Sequence, residues 1–181
     1  MSAGQLICEN RVATLGRDSV NASVMPWRVP RRGGFVIAVE HRLPVVVRDG
    51  GGLVRIIETA DAPAHTGPVP QAEEAGGWIY VSRAVRRRPG THAIPADARA
   101  EAEQVFANLV AILTAAGAGL TDVVRVGIVM RSLQSDRPVF NQVWAEQFGE
   151  HRPARSAIEA SDFGRSGENA RFMLEVTAFR G

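Results

Sequence analysis

Lysine is absent, so all 21 basic residues in this chain of 181 are arginine. Without a side-chain primary amine no Schiff base can form, which excludes lysine-bound pyridoxal phosphate, lysine-dependent aldolase chemistry and a P-loop lysine. The single cysteine, Cys8, allows no internal disulfide. His41, His65, His92 and His151 are scattered without ligand-like spacing, so neither a metal nor another cofactor is expected. No apolar run reaches spanning length, and residues 1–20 carry Glu9, Arg11, Arg17 and Asp18 where a signal peptide would need an apolar core. The expectation is a cytoplasmic protein with no membrane partner.

What is present fits an ordinary globular chain: 45% hydrophobic residues, a net charge of +2, and enough length for a real core. Acidic and basic residues intermix, so the charge balance does not argue for nucleic acid. Residues 1–53 differ in texture from the rest. Pro26-Trp27-Arg28-Val29-Pro30-Arg31-Arg32-Gly33-Gly34 reads as a bend or linker, and two β-like runs, 35–40 and 45–48, flank a hairpin turn at His41-Arg42-Leu43-Pro44. This segment is predicted to be an extension that adds strands to a neighbouring sheet, followed by a second domain at 54–181.

Within that domain, residues 54–59 and 78–82 have strand composition. Arg86-Arg87-Arg88-Pro89-Gly90 reads as a solvated basic turn, lacking the interleaved aromatics that single-stranded nucleic acid stacks upon. Asp97 can cap a helix over 98–116, whose Ala102, Val105, Phe106, Leu109, Ile112, Leu113 and Ala116 recur at spacings of three and four. Gly117 and Gly119 stop it. A strand at 123–131 and a helix at 137–148 follow, the latter with Val139, Val143, Trp144 and Phe148 as its buried stripe. The last strand, 171–180, alternates so that Phe172, Leu174, Val176 and Ala178 face one way and Met173, Glu175, Thr177 and Phe179 the other. The order strand, strand, helix, strand, helix, strand gives an α+β layer with both helices on one face of the sheet. Two helices cover one face only, so a second copy of the chain is the expected cover for the other.

One stretch invites a binding role. Arg152-Pro153-Ala154-Arg155-Ser156-Ala157-Ile158 sets an arginine just after a proline-fixed bend, a way of holding a guanidinium fork rigidly at a cleft edge, and carboxylates are what such a fork binds best.

These residues resemble the RidA (YjgF) family of reactive-intermediate deaminases, small trimeric proteins that hydrolyse enamines and imines released by other enzymes. The resemblance runs from Val54 to the C-terminus through Arg55-Ile56-Ile57-Glu58-Thr59, Ala62-Pro63-Ala64, Gly67-Pro68-Val69-Pro70-Gln71-Ala72 and Ile79-Tyr80-Val81-Ser82. It continues through residues 105–117, Asp122-Val123-Val124, Asn141, Pro153-Ala154-Arg155-Ser156 and Leu174-Glu175-Val176. It implies a chorismate-mutase-like fold closing as a trimeric barrel, with clefts between subunits. Arg155 would grip the carboxylate of a small substrate there, with Ser82 and Asn141 lining the cleft and backbone amides around Ala157 touching the ligand.

The departures from the family pattern bear on turnover. Where typical members read Gly-Pro-Tyr-Ser-Gln-Ala, Val69 and Pro70 replace the tyrosine and serine. Val-Ser-Gly becomes Val81-Ser82-Arg83, putting a large cation where the family leaves room. The glutamate that positions the attacking water corresponds to Met173, and methionine cannot shuttle a proton. Glu175 faces the same way but lies about 6.6 Å along the strand. Glu168, in the loop over 161–170, is the other carboxylate that could serve. Three functions therefore stand open: imine or enamine hydrolysis with Glu175 or Glu168 handling the proton, use of the same cleft for another metabolic step or for ligand binding without turnover, and an RNA-binding or ribonuclease role resting on residues 28–32 and 86–88. In the second, Arg83 pointing inward would favour a ligand with two anionic groups.

Overall fold

Helix α1 (Ala98–Ala116) starts and stops where the sequence predicts. The Asp97 side chain accepts a 2.9 Å hydrogen bond from the Ala100 amide, and Gly117 closes the helix in the left-handed conformation, φ 78°, which few other residues adopt cheaply. Helix α2 (Arg137–Phe148) carries Pro138 in its first turn, where a missing amide proton costs nothing.

The computed structural model describes residues 53–65, 67–91, 93, 95–161 and 170–181, together with four short N-terminal strands: β1 (Ile7–Cys8), β2 (Arg11–Val12), β3 (Phe35–Ile37) and β4 (Val45–Val47). The chain forms two units, Met1–Arg31 and Arg32–Gly181. In the first, β1 pairs with β2. The second holds β3, β4, β5 (Leu53–Ile57), β6 (Ala72–Ala75), β7 (Trp78–Ala84), β8 (Val123–Met130), β9 (Ala154–Glu159) and β10 (Phe172–Phe179) in one sheet, ordered β3-β4-β5-β6-β7-β10-β8-β9. Every pairing is antiparallel except β8 with β9. The hairpin expected of the extension is present as β3 and β4, and β4 pairs onto β5.

Both helices pack on one face. The predicted stripe of α1 is buried with Ile57, Ile79, Val81 and the Phe172, Leu174, Val176 and Ala178 face of β10. An aromatic cluster joins α2 to this core, with the Phe106 ring 5.7 Å from Phe148 and the Phe140 ring 5.1 Å from Phe172. The buried stripe of α2 differs from the expected one: Phe140 is fully buried, whereas Val139 is only partly so. The aromatic rings of α1 and β10 pull Phe140 inward.

Two strands escape the expected order. β6 is four residues with two glutamates at its centre, Glu73 and Glu74, and it forms because β5 and β7 pair with it from both sides. β9 lies at the sheet edge with all six side chains exposed, so no burial pattern marks it. The expectation of a solvated turn at 86–88 is also corrected. Arg86 is buried and pairs with buried Glu101 of α1 at 3.7 Å, and the Arg87 carbonyl accepts a 2.8 Å hydrogen bond from the Asn108 side chain.

The uncovered face is built from alternate residues of the same strands. Trp78 and Tyr80 of β7, Phe179 of β10 and Ile158 of β9 are exposed on it, and the Trp78 and Phe179 rings pack tilted at 47° with their centres 4.8 Å apart. Among the described residues, no helix is long and apolar enough to cross a membrane.

Candidate functional site

Pro153 is buried and ends the loop after α2, from which β9 runs parallel to β8 with Arg155 opposite Val126. Nη1 of Arg155 donates a 3.0 Å hydrogen bond to Oδ1 of Asn141, and its guanidinium carbon lies 4.9 Å from the centre of the Trp144 ring. Both partners come from α2, so helix and edge strand together orient the fork by a hydrogen bond and a cation–π stack. Arg155 lines a surface concavity of about 360 Å³ together with Trp144, Pro153, Arg152 and His151. The His151 ring is held by the Val123 carbonyl at 2.8 Å, which fixes that wall. The expected pair of Arg155 and Asn141 is thus brought together; Trp144, taken from its periodicity as a core residue, is also the arginine's stacking partner.

The loop at 59–71 is pinned from inside by Gln71, a residue sequence reasoning passed over. Its Oε1 accepts from the Thr59 amide at 2.6 Å, while its Nε2 faces the carbonyls of Thr59, Ala62 and Pro63 at 3.0 to 3.1 Å. A buried glutamine with this many backbone partners fixes a loop that has no sheet or helix ladder of its own. Ser82 closes the other side. Its amide donates to the Gln71 carbonyl at 2.9 Å, and its hydroxyl donates to the Pro70 carbonyl at 2.7 Å. The Ser82 proton is therefore spent on the loop, leaving the oxygen's lone pairs for anything outside. Val69 is half exposed on the same loop.

On β7, Val81 sits opposite Val176 and Ala84 opposite Leu174, so Ser82 and Arg83 together face the single residue Glu175 of β10. This two-to-one count is a β-bulge, which re-aims side chains. Val81 and Ala84 are buried, whereas Ser82 is half-buried and Arg83 exposed. On its other side Glu175 pairs with Gly127 of β8, and a methyl added to Gly127 would lie 3.8 Å from Oε2 of Glu175, so the carboxylate leans over the glycine. Met173 lies two residues away on the same face, 8% exposed, packed with Ala170, Val129 and Ala160. Ala157 is exposed on β9, opposite Ile128. Glu168 lies outside the described residues, as do Arg28, Arg31 and Arg32.

His65 belongs to the pinned loop. Burial, reinforced by the positive charges of Arg83 and Arg87, holds its pKa below the usual 6.5. Its Nε2 is buried without a hydrogen-bond partner.

A sheet carrying two helices on one face, an arginine fork braced at its edge and an apolar opposite face define a small α+β protein of the chorismate-mutase-like kind. The sequence model described as Endoribonuclease L-PSP matches residues 59–179, and the chain belongs to that family, the RidA (YjgF) family. A 2-iminobutanoate/2-iminopropanoate deaminase from Dermatophagoides farinae is 36% identical over 122 residues, covering 67% of this chain and 92% of its own. The Escherichia coli K12 protein of the same name is 33% identical over 129 residues, 70% of this chain and 98% of its own. The crystal structure of E. coli TdcF with bound serine superposes with a TM-score of 0.65 at 29% identity, covering 70% of this chain and 99% of that one.

Proposed function

We propose that the chain hydrolyses a small imine or enamine bearing a carboxylate, at a cleft formed where copies of the chain meet as a trimer. Residues 54–181 make up the working domain and residues 1–53 extend it. Arg155 holds the carboxylate. Water adds to the carbon of the C=N bond, the nitrogen leaves as ammonia, and a 2-oxo acid remains. Glu175 takes the proton from the attacking water and returns it to the nitrogen, the role that a carboxylate in reach of the reacting carbon can fill.

The observation that carries this reading is the bracing of Arg155 by Asn141 and Trp144. A fork already oriented loses little freedom on gripping a carboxylate. The names of the deaminase relatives supply the reaction class.

The test follows the loss of 2-iminopropanoate generated in situ. Acceleration over buffer is expected, with KM raised about tenfold or more in Arg155→Ala, as for the loss of a charge-assisted pair. No acceleration by the unaltered protein overturns the hydrolase reading. A specific observation favours a second one, binding without turnover: Met173 fills the position of the family's water-positioning glutamate with a side chain packed among apolar neighbours. Carboxylate binding that depends on Arg155, with no acceleration of hydrolysis, is its signature.

A further inference from the structure

The bulge at Ser82–Arg83 and the loop carrying His65 hold a guanidinium and an unpartnered imidazole nitrogen that the proposed hydrolysis does not use. Three observations bear on them. The bulge turns Arg83 to the exposed side of β7. Among the described residues no hydrogen bond or ion pair engages the Arg83 guanidinium, and the carboxylate of Glu175, the residue opposite the bulge, lies over Gly127. The His65 Nε2 is buried and unpartnered on a loop that Gln71 ties down, and a buried polar nitrogen without a partner costs free energy unless something comes to meet it. Arg83 and Arg87 both act on His65, which places a positive field there. Such a field selects for an anion.

We propose that Arg83 and His65 form a second anion subsite of the cleft, so that the substrate is a dicarboxylate held by Arg155 at one end and by Arg83 with His65 at the other. This rests on the reading of Arg155 as the carboxylate clamp in a cleft between copies. Within one chain β7 and β9 stand three strand spacings apart, about 14 Å between backbones, and the proposed cleft between copies is where one ligand meets both arginines. The bulge makes the subsite possible. A regular β7 would send residues 82 and 83 to opposite faces, and the exposed face would then carry either the serine tied to the loop or the arginine, not both.

Equilibrium binding separates the subsite from turnover. Titration calorimetry compares glutarate with pentanoate, which has the same chain length and one carboxylate fewer, on the full-length protein and on Arg83→Ala, Arg83→Gln and Arg155→Ala. The unaltered protein is expected to bind glutarate about tenfold to a hundredfold more tightly than pentanoate, the value of one charge-assisted contact. Both Arg83 variants are expected to lose that preference while keeping their affinity for pentanoate, and Arg155→Ala to weaken both acids. Absence of a glutarate preference in the unaltered protein overturns the subsite. So does a preference that survives in Arg83→Ala and Arg83→Gln while Arg155→Ala weakens binding. Unchanged binding of both acids in Arg155→Ala overturns the clamp reading itself, and the subsite with it.

Discussion

The guanidinium of Arg155 owes its position to geometry that lysine could not copy. Arg155→Lys keeps the charge but loses the fork that donates to Asn141 and the planar group that stacks on Trp144. We expect KM for an imine substrate to rise about tenfold, with kcat changed less, in steady-state kinetics. Met173 offers the complementary test. Met173→Glu restores the carboxylate that the family pattern places there, so turnover should rise. Stability should fall by about 1–3 kcal/mol in urea denaturation, because the new carboxylate enters a cluster of alanine and valine side chains. A fall in turnover would mean that Glu175 already holds the proton-transfer position. At this scale Arg155 was legible as a candidate clamp, since a proline-fixed bend precedes it and the family resemblance falls on it. The partners that brace the site were not: Gln71, Trp144 and buried Arg86 act through contacts between segments far apart in sequence, which no local pattern encodes.

Between elements, the sheet strand that carries Glu175 is held at its start by α1. Oε1 of Glu101 accepts from the backbone amides of Arg171 and Phe172, while Oε2 faces Arg86 across the same buried space. Glu101→Ala removes an acceptor from two amides and the carboxylate that Arg86 pairs with. We expect a loss of about 3 kcal/mol or more by denaturant unfolding. Replacing both partners, as Glu101→Leu with Arg86→Met, should recover part of that loss, because an apolar pair leaves fewer desolvated charges behind. A double variant no better than Glu101→Ala would place the cost in the two amides instead. The long elements were legible because α1 and β10 each bury one face, and burial imposes a period of 3.6 or 2 on the sequence. β6 and β9 escaped for the opposite reason. One is four residues long with polar centre positions, the other fully exposed, so tertiary pairing alone makes them strands.

For the whole molecule, the sheet face away from the helices poses the largest energetic question. Trp78, Tyr80, Phe179 and Ile158 lie open on it in the single chain, a collection of large apolar side chains that soluble monomers seldom leave to water. The count of helices made this legible in advance, since two helices cannot cover both sides of a sheet. What the sequence could not show is which side chains crowd together on that face, such as Trp78 with Phe179. If copies close over this face as a trimer, light scattering should give a mass near three times 19.5 kDa. Tyr80 is 51% exposed in the isolated chain, so Tyr80→Arg should cost the fold itself little, about 0.5 kcal/mol or less as for ordinary surface positions. In the assembly the same change buries a guanidinium without a partner, which costs several kcal/mol at each contact and should drive the mass to that of one chain. Circular dichroism should stay unchanged, and carboxylate binding should vanish with the trimer, because a cleft between copies does not survive their separation. A Tyr80→Arg monomer that still binds pentanoate through Arg155 would place the site within one chain, in the concavity beside Trp144, and remove the assembly from the mechanism.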